Sequence, residues 1–135
     1  MNKIFVDTVA WIAWINTSDA LNTRAREILK RLRQQNVLLV TTEFILLEVA
    51  DALSIPPLRA QTVSFLEGLR QLAILQIVRA SSTLFAEGLR LYSQRLDKEW
   101  GLTDCTSFVI MKQEQITHVF TSDHHFEQAG FVKLL

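Results

Sequence analysis

The run Lys3-Ile4-Phe5-Val6-Asp7-Thr8 constrains this chain more than any other. Three apolar β-formers stand together without polar alternation, the pattern of a strand covered on both faces in a parallel sheet. Asp7 closes the run and a helix-like segment follows from Val9 to Ile15. An acid at the carboxyl end of such a strand either caps the next helix or faces the crevice where α/β sheets bind ligands. Both readings stand until other acids are placed.

The same alternation repeats to the end of the chain. Ala20–Gln35 returns apolar residues at helical spacing (Leu21, Ala25, Ile28, Leu29, Leu32), with Arg24, Arg26, Lys30, Arg31 and Arg33 opposite. That charged face is read first as solvated and second as a phosphate contact. Val37–Val40 is a second buried strand, ended by Thr41-Thr42, and the following helix over 43–53 carries Glu48 on its second turn. Ser54-Ile55-Pro56-Pro57 stops that helix, since a prolyl ring cannot continue it. Helical spacing resumes over 58–72, a third strand covers 74–78, and Ser81 or Ser82 caps a long helix ending near Gly101. Leu102-Thr103-Asp104 opens another helix, 118–121 is a fourth strand with Asp123 two residues past its end, and 131–135 is the last strand. Strands alternating with helices predict an α/β fold: one domain over 1–135, with a parallel sheet of four to five strands flanked by helices on both faces.

Charge and composition narrow the function classes. Fourteen basic residues balance 14 acidic ones, so any polyanion must be bound by a local patch rather than a global field. The single cysteine, Cys105, excludes an internal disulfide framework and a cysteine-rich zinc site, and fits a reducing cytoplasm. A strand starting at Lys3 leaves no room for a signal peptide, and no apolar run approaches the roughly 20 residues that span a bilayer. A soluble cytoplasmic protein with no membrane role is expected. The hydrophobic share, 49% in so short a chain, predicts apolar surface covered by a partner, most simply a second copy.

Asp7, Glu48, Asp104 and Asp123 all fall at strand ends or on helices leaving them, and a sheet wound in the usual way brings them to one edge. Four carboxylates crowded into a partly dry crevice repel strongly and stay ionised together only around a multivalent cation. All-oxygen ligation selects Mg²⁺ or Mn²⁺. Such a site suits phosphodiester hydrolysis by metal-activated water, with no nucleophilic side chain. Thr8, Ser107 and Thr121 are placed to hydrogen-bond the acids or their waters.

Four segments carry a resemblance: Phe5-Val6-Asp7-Thr8, Thr41-Thr42 with Glu48-Val49, Leu102 to Phe108, and Thr121-Ser122-Asp123-His124-His125-Phe126. Together they resemble the PIN domain, and within it the small toxin ribonucleases of the VapC type. The resemblance implies that Asp7, Glu48, Asp104 and the less uniform fourth acid Asp123 are catalytic metal ligands. It also implies an RNA substrate, a homodimer and a cognate antitoxin protein that lays a peptide near the acids. Val9 and Asn22 stand where that family often has Ser and His, which bears on substrate detail and not on the ligands.

Other enzyme readings fit less well. A haloacid-dehalogenase-like phosphotransferase needs a second acid where Val9 stands, and a phosphoacceptor receiver needs paired acids where Thr8 follows Asp7. The non-enzymatic alternative, a PIN-like interaction module with a silent site, sits poorly with four retained acids. Trp11 and Trp14 are read as core or subunit contacts, Cys105 as an inert buried thiol, and Asp97–Glu99 as surface ion pairing. His124 and His125 are read as part of a turn that packs Phe126 inward, not as a zinc pair. Arg59, Arg70 and Arg95 join the basic helix face as candidates for RNA backbone contacts.

Overall fold

The computed structural model describes residues 2–135. Five strands, β1 (Lys3–Val6), β2 (Leu38–Thr42), β3 (Leu75–Val78), β4 (His118–Phe120) and β5 (Val132–Lys133), alternate with seven helices. The helices are α1 (Thr8–Ile15), α2 (Asn22–Gln34), α3 (Glu43–Ala52), α4 (Pro56–Leu69), α5 (Ser82–Gln94), α6 (Leu102–Gln113) and α7 (His124–Gln128). The sheet is parallel throughout, in the order β3-β2-β1-β4-β5. This is the predicted fold, with the sheet at five strands.

The apolar triplet of β1 explains its central place. Ile4, Phe5 and Val6 are essentially inaccessible to water, so layers cover both faces of the strand. β2 pairs on one side through Ile4↔Leu39, and β4 on the other through Val6↔Phe120. The chain first winds outward from β1 to β2 and β3, then returns to the opposite side for β4. The reversal beside β1 is the topological switch point where open α/β sheets form their binding crevice.

Two local expectations are corrected. Pro56 and Pro57 do not merely end α3; they occupy the first turn of α4, where a missing N–H costs nothing and φ is already helical. Thr41 and Thr42 belong to β2 rather than ending it. Thr41 turns its hydroxyl inward, donating to the Val6 carbonyl and accepting from Trp11 Nε1, while Thr42 accepts from the Ile45 amide and caps α3. Trp11 and Phe126 join the core as expected, and Cys105 is buried.

Candidate active site

Asp7 follows β1 at the switch point, and its amide donates to the Phe120 carbonyl of β4. Its side chain does not cap α1. Instead Oδ2 accepts a 2.8 Å hydrogen bond from Thr121 Oγ1, just past β4. That excludes the helix-cap reading and leaves a carboxylate only 4% exposed. Burial pushes its pKa up to about 7; the hydrogen bonds from Thr121 and the Thr8 amide oppose this, and Asp104 and Asp123 add to it.

Asp104 and Asp123 reach the same place from two helix starts. Asp104, in the first turn of α6, accepts from the Gly101 amide at 3.2 Å. This is half of a capping box, because glycine has no side chain to return the bond. Asp123 caps α7 by accepting from the His125 amide at 2.9 Å, and its own amide donates to Thr121 Oγ1. His125 Nδ1 lies 3.1 Å from Asp104 Oδ2 and 3.5 Å from Asp123 Oδ1. Both neighbours are acceptors, so Nδ1 is assigned the proton. Burial raises the Asp104 pKa, the Gly101 amide lowers it, Asp123 raises it, and His125 lowers it.

Glu48 stands apart from this trio. It is exposed on α3 and tied in through Thr8 Oγ1, which donates to Glu48 Oε1 at 2.6 Å. Thr8 and Thr121 therefore do what the sequence suggested. Ser107 does not: its hydroxyl bonds the Thr103 carbonyl one turn back along α6.

His125 is the residue that reading the sequence missed. It looked like one half of a turn pair, yet it bridges two of the acids. Its position two residues after Asp123 was visible; its neighbour Asp104, 21 residues away, was not. The ligating atoms of Asp123, His124 and His125 fall within 4.8 Å of one another. The His124 side chain is 67% exposed, however, and one Asp123 oxygen is already occupied as a cap. Phe126 between them and the core is fully buried, as the turn reading expected.

The donors that converge on the crevice are carboxylate oxygens. Asp7 and Asp104 each raise, or are raised by, a neighbouring acid, and nothing cationic faces Asp7 among the groups that shift it. A divalent cation would supply what such a set lacks, and hard oxygen ligands suit Mg²⁺ or Mn²⁺.

A parallel α/β sheet with acids gathered at its switch point presents a negatively charged crevice. The chain matches the PIN domain family over residues 4–132 and belongs to it. It is similar in structure to Mycobacterium tuberculosis VapC20, described as a sarcin–ricin loop cleaving toxin. The TM-score is 0.83 and the identity 25%, covering 97% of this chain and 98% of that one. It is also similar to FitAcB from Neisseria gonorrhoeae, with a TM-score of 0.66 and 20% identity over 98% and 96% of the two chains, a likeness of fold. No curated protein matches the chain.

Proposed function

We propose that this protein is a metal-dependent endoribonuclease that hydrolyses RNA phosphodiester bonds, and the toxin of a toxin–antitoxin pair. The observation that carries the reading is the gathering of Asp7, Asp104 and Asp123 at the switch point of a PIN-family chain. The likeness to a toxin described as cleaving the sarcin–ricin loop supports RNA as the substrate class and an antitoxin as partner. The whole chain, 1–135, acts as one nuclease domain in the cytoplasm. Among the described residues no helix is long and apolar enough to cross a membrane.

Asp7, Asp104 and Asp123, with Glu48 at the rim, would hold Mg²⁺ or Mn²⁺. Bound there, such a cation would offset the carboxylate charge and would supply acidification of water and stabilisation of charge on the leaving oxygen. The chain's own contribution is orientation. Thr121 fixes Asp7 by one oxygen and Asp123 by its backbone, so a single hydroxyl sets the spacing of two acids. His125 holds Asp104 and Asp123 in register from the other side, and Thr8 turns Glu48 towards the crevice. Groups of this kind pre-set the donors, so none need move when the ligand arrives.

The exposed apolar residues Phe85, Leu89, Tyr92 and Leu96 on and just after α5 support a homodimer. The deciding experiment is cleavage of total cellular RNA with Mg²⁺ or Mn²⁺ by wild type, Asp7→Asn and Asp104→Asn, each variant checked for retained fold by circular dichroism. A discrete cut lost with EDTA and in both variants is expected, and the fragment identifies the target. Absence of any cut under either metal would replace this reading with the silent interaction module.

A further inference from the structure

A shallow surface hollow of about 490 Å³ lies between α1 and α2. Trp14, Arg26, Leu29, Lys30, Arg33 and Gln34 line it. We propose that this cavity is a second RNA-binding site, which holds a nucleotide of the substrate strand with its base against Trp14 and its phosphates along Arg26, Lys30 and Arg33. The proposal extends the ribonuclease reading and rests on it for the identity of the polymer.

Charge is the first observation. Helix α2 carries Arg24, Arg26, Lys30, Arg31 and Arg33 against one acid, Glu27, in a molecule with 14 of each sign. The remainder of the protein is therefore net acidic, and the positive charge is concentrated on one helix. Among the described residues, none of these five cations takes part in an ion pair. Arg26, Lys30 and Arg33 follow one another at four and three residues, so they share one face of the helix and repel each other there. An unpaired row of this kind is a ready contact for the phosphates of a polyanion. Arg59 and Arg95, also candidates from the sequence, are occupied: Arg59 donates to the Ser54 carbonyl and Arg95 to Asp97.

The second observation is what the cations surround. Trp14 is half-buried, gripped by Trp11 at 5.8 Å and by Phe65 edge-on at 5.5 Å, so its ring is held rigid at the cavity wall. Asn22 fixes the same segment by donating to the Ala13 and Trp14 carbonyls. Rigid aromatic surface beside a cationic row is the arrangement that binds single-stranded nucleic acid, base on ring and phosphate on charge. An acidic peptide would use the cations and leave the ring idle. Helix geometry sets the scale of the site. Trp14 stands about 10 Å along α1 from Asp7, and the three cations span about 10 Å of α2 at 1.5 Å per residue. A nucleic-acid strand carries about one charge per 3.4 Å of stacked length, so the row of three cations matches about three phosphates.

The test separates binding from cutting. Fluorescence anisotropy would follow a labelled oligouridylate on Asp104→Asn protein, with and without the added changes Arg26→Gln, Lys30→Gln and Arg33→Gln. All three positions are solvent-exposed, so folding should be retained. Binding should weaken at least about 10-fold at low salt, and the slope of log affinity against log salt should flatten by about 2, from about 0.7 per phosphate contact. Trp14→Leu should weaken binding without changing the slope. Unchanged affinity and slope in the triple variant would overturn the proposal. Loss of polyglutamate binding with oligouridylate binding intact would overturn it in favour of an acidic protein partner. Wild type that cuts no RNA yet shows the expected slopes would refute the nuclease reading and leave this site standing.

Discussion

Under the proposed function, Asp7 would link metal, pH and stability through one buried side chain. In the metal-free protein its folded pKa is about 7, against an ordinary value of 3.8, and burial is the main cause. A carboxyl with a raised folded pKa binds its proton more tightly in the native state than in the unfolded chain. Stability from this group is therefore full below about pH 4 and falls as pH rises towards about 7, by on the order of 4 kcal/mol. With EDTA present, thermal melts should show the wild type losing stability across that window and Asp7→Asn losing much less. Adding Mn²⁺ near pH 8 should raise the wild-type midpoint and leave that of Asp7→Asn almost unmoved. A wild type indifferent to both pH and metal would refute the assignment of Asp7 to the cation site. His125 makes a separate case. His125→Ala removes the bridge between Asp104 and Asp123 without removing an acid, so metal should bind about 10- to 100-fold more weakly. Titration calorimetry with Mn²⁺ would measure this, and unchanged affinity would show that the bridge orients nothing.

Among the elements, α6 has the strictest demand because it carries Asp104 and packs against α5. Gly88 on α5 marks the closest approach: a Cβ added there would lie 2.6 Å from Thr106 Cγ2 and 3.3 Å from the Thr106 amide. The Thr106 methyl blocks a Cβ, and its hydroxyl is held by the Thr103 carbonyl, so Gly88→Ala should displace that side chain or α6 and cost about 1–3 kcal/mol. Gly68→Ala, in open space near the end of α4, should be neutral or slightly stabilising. Urea melts of the two variants check this, and equal stability would mean that α5 and α6 pack less tightly than these distances require. The same elements show what was legible in the sequence. β1 and β2 were readable because unbroken apolar runs have few other outlets, and the places of Asp7, Asp104 and Asp123 because each stood at a strand end or helix start, whereas Glu48 lies on the second turn of α3. Pro56-Pro57 was half readable, since proline both ends one helix and begins the next. Ser107 and His125 were misjudged for one reason. Local pattern places a residue on an element, but its partner is set by how elements pack: Ser107 found its own helix, and His125 found Asp104 across a gap of 21 residues.

For the whole molecule the open matter is its apolar exterior. Phe85, Leu89 and Tyr92 follow one another at four and three residues along α5, each about half exposed, beside the face that packs on α6. Leu96, four residues further on and just past the helix end, is 90% exposed. Spacing of four, three and four reads the same in either direction. Two copies of α5 packed antiparallel about a two-fold axis would therefore set Phe85 against the partner's Leu96 and Leu89 against the partner's Tyr92. Every contact then joins an aromatic to a leucine, whereas a parallel pair would oppose like with like. The flanking positions Ala86, Gly88 and Ser93 are uncharged, and Arg95 is neutralised by Asp97 and laid over Trp100. An interface core depleted of free charge follows. One helix pair covers less than the roughly 800 Å² per partner of a standard interface, so the dimer should dissociate on dilution and melt at a concentration-dependent temperature. Light scattering should give a dimer for the wild type and a monomer for Leu89→Glu with Tyr92→Glu. Both positions are exposed in the single chain, so the fold itself should tolerate the change. A wild type that stays monomeric at high concentration would refute this α5 pairing.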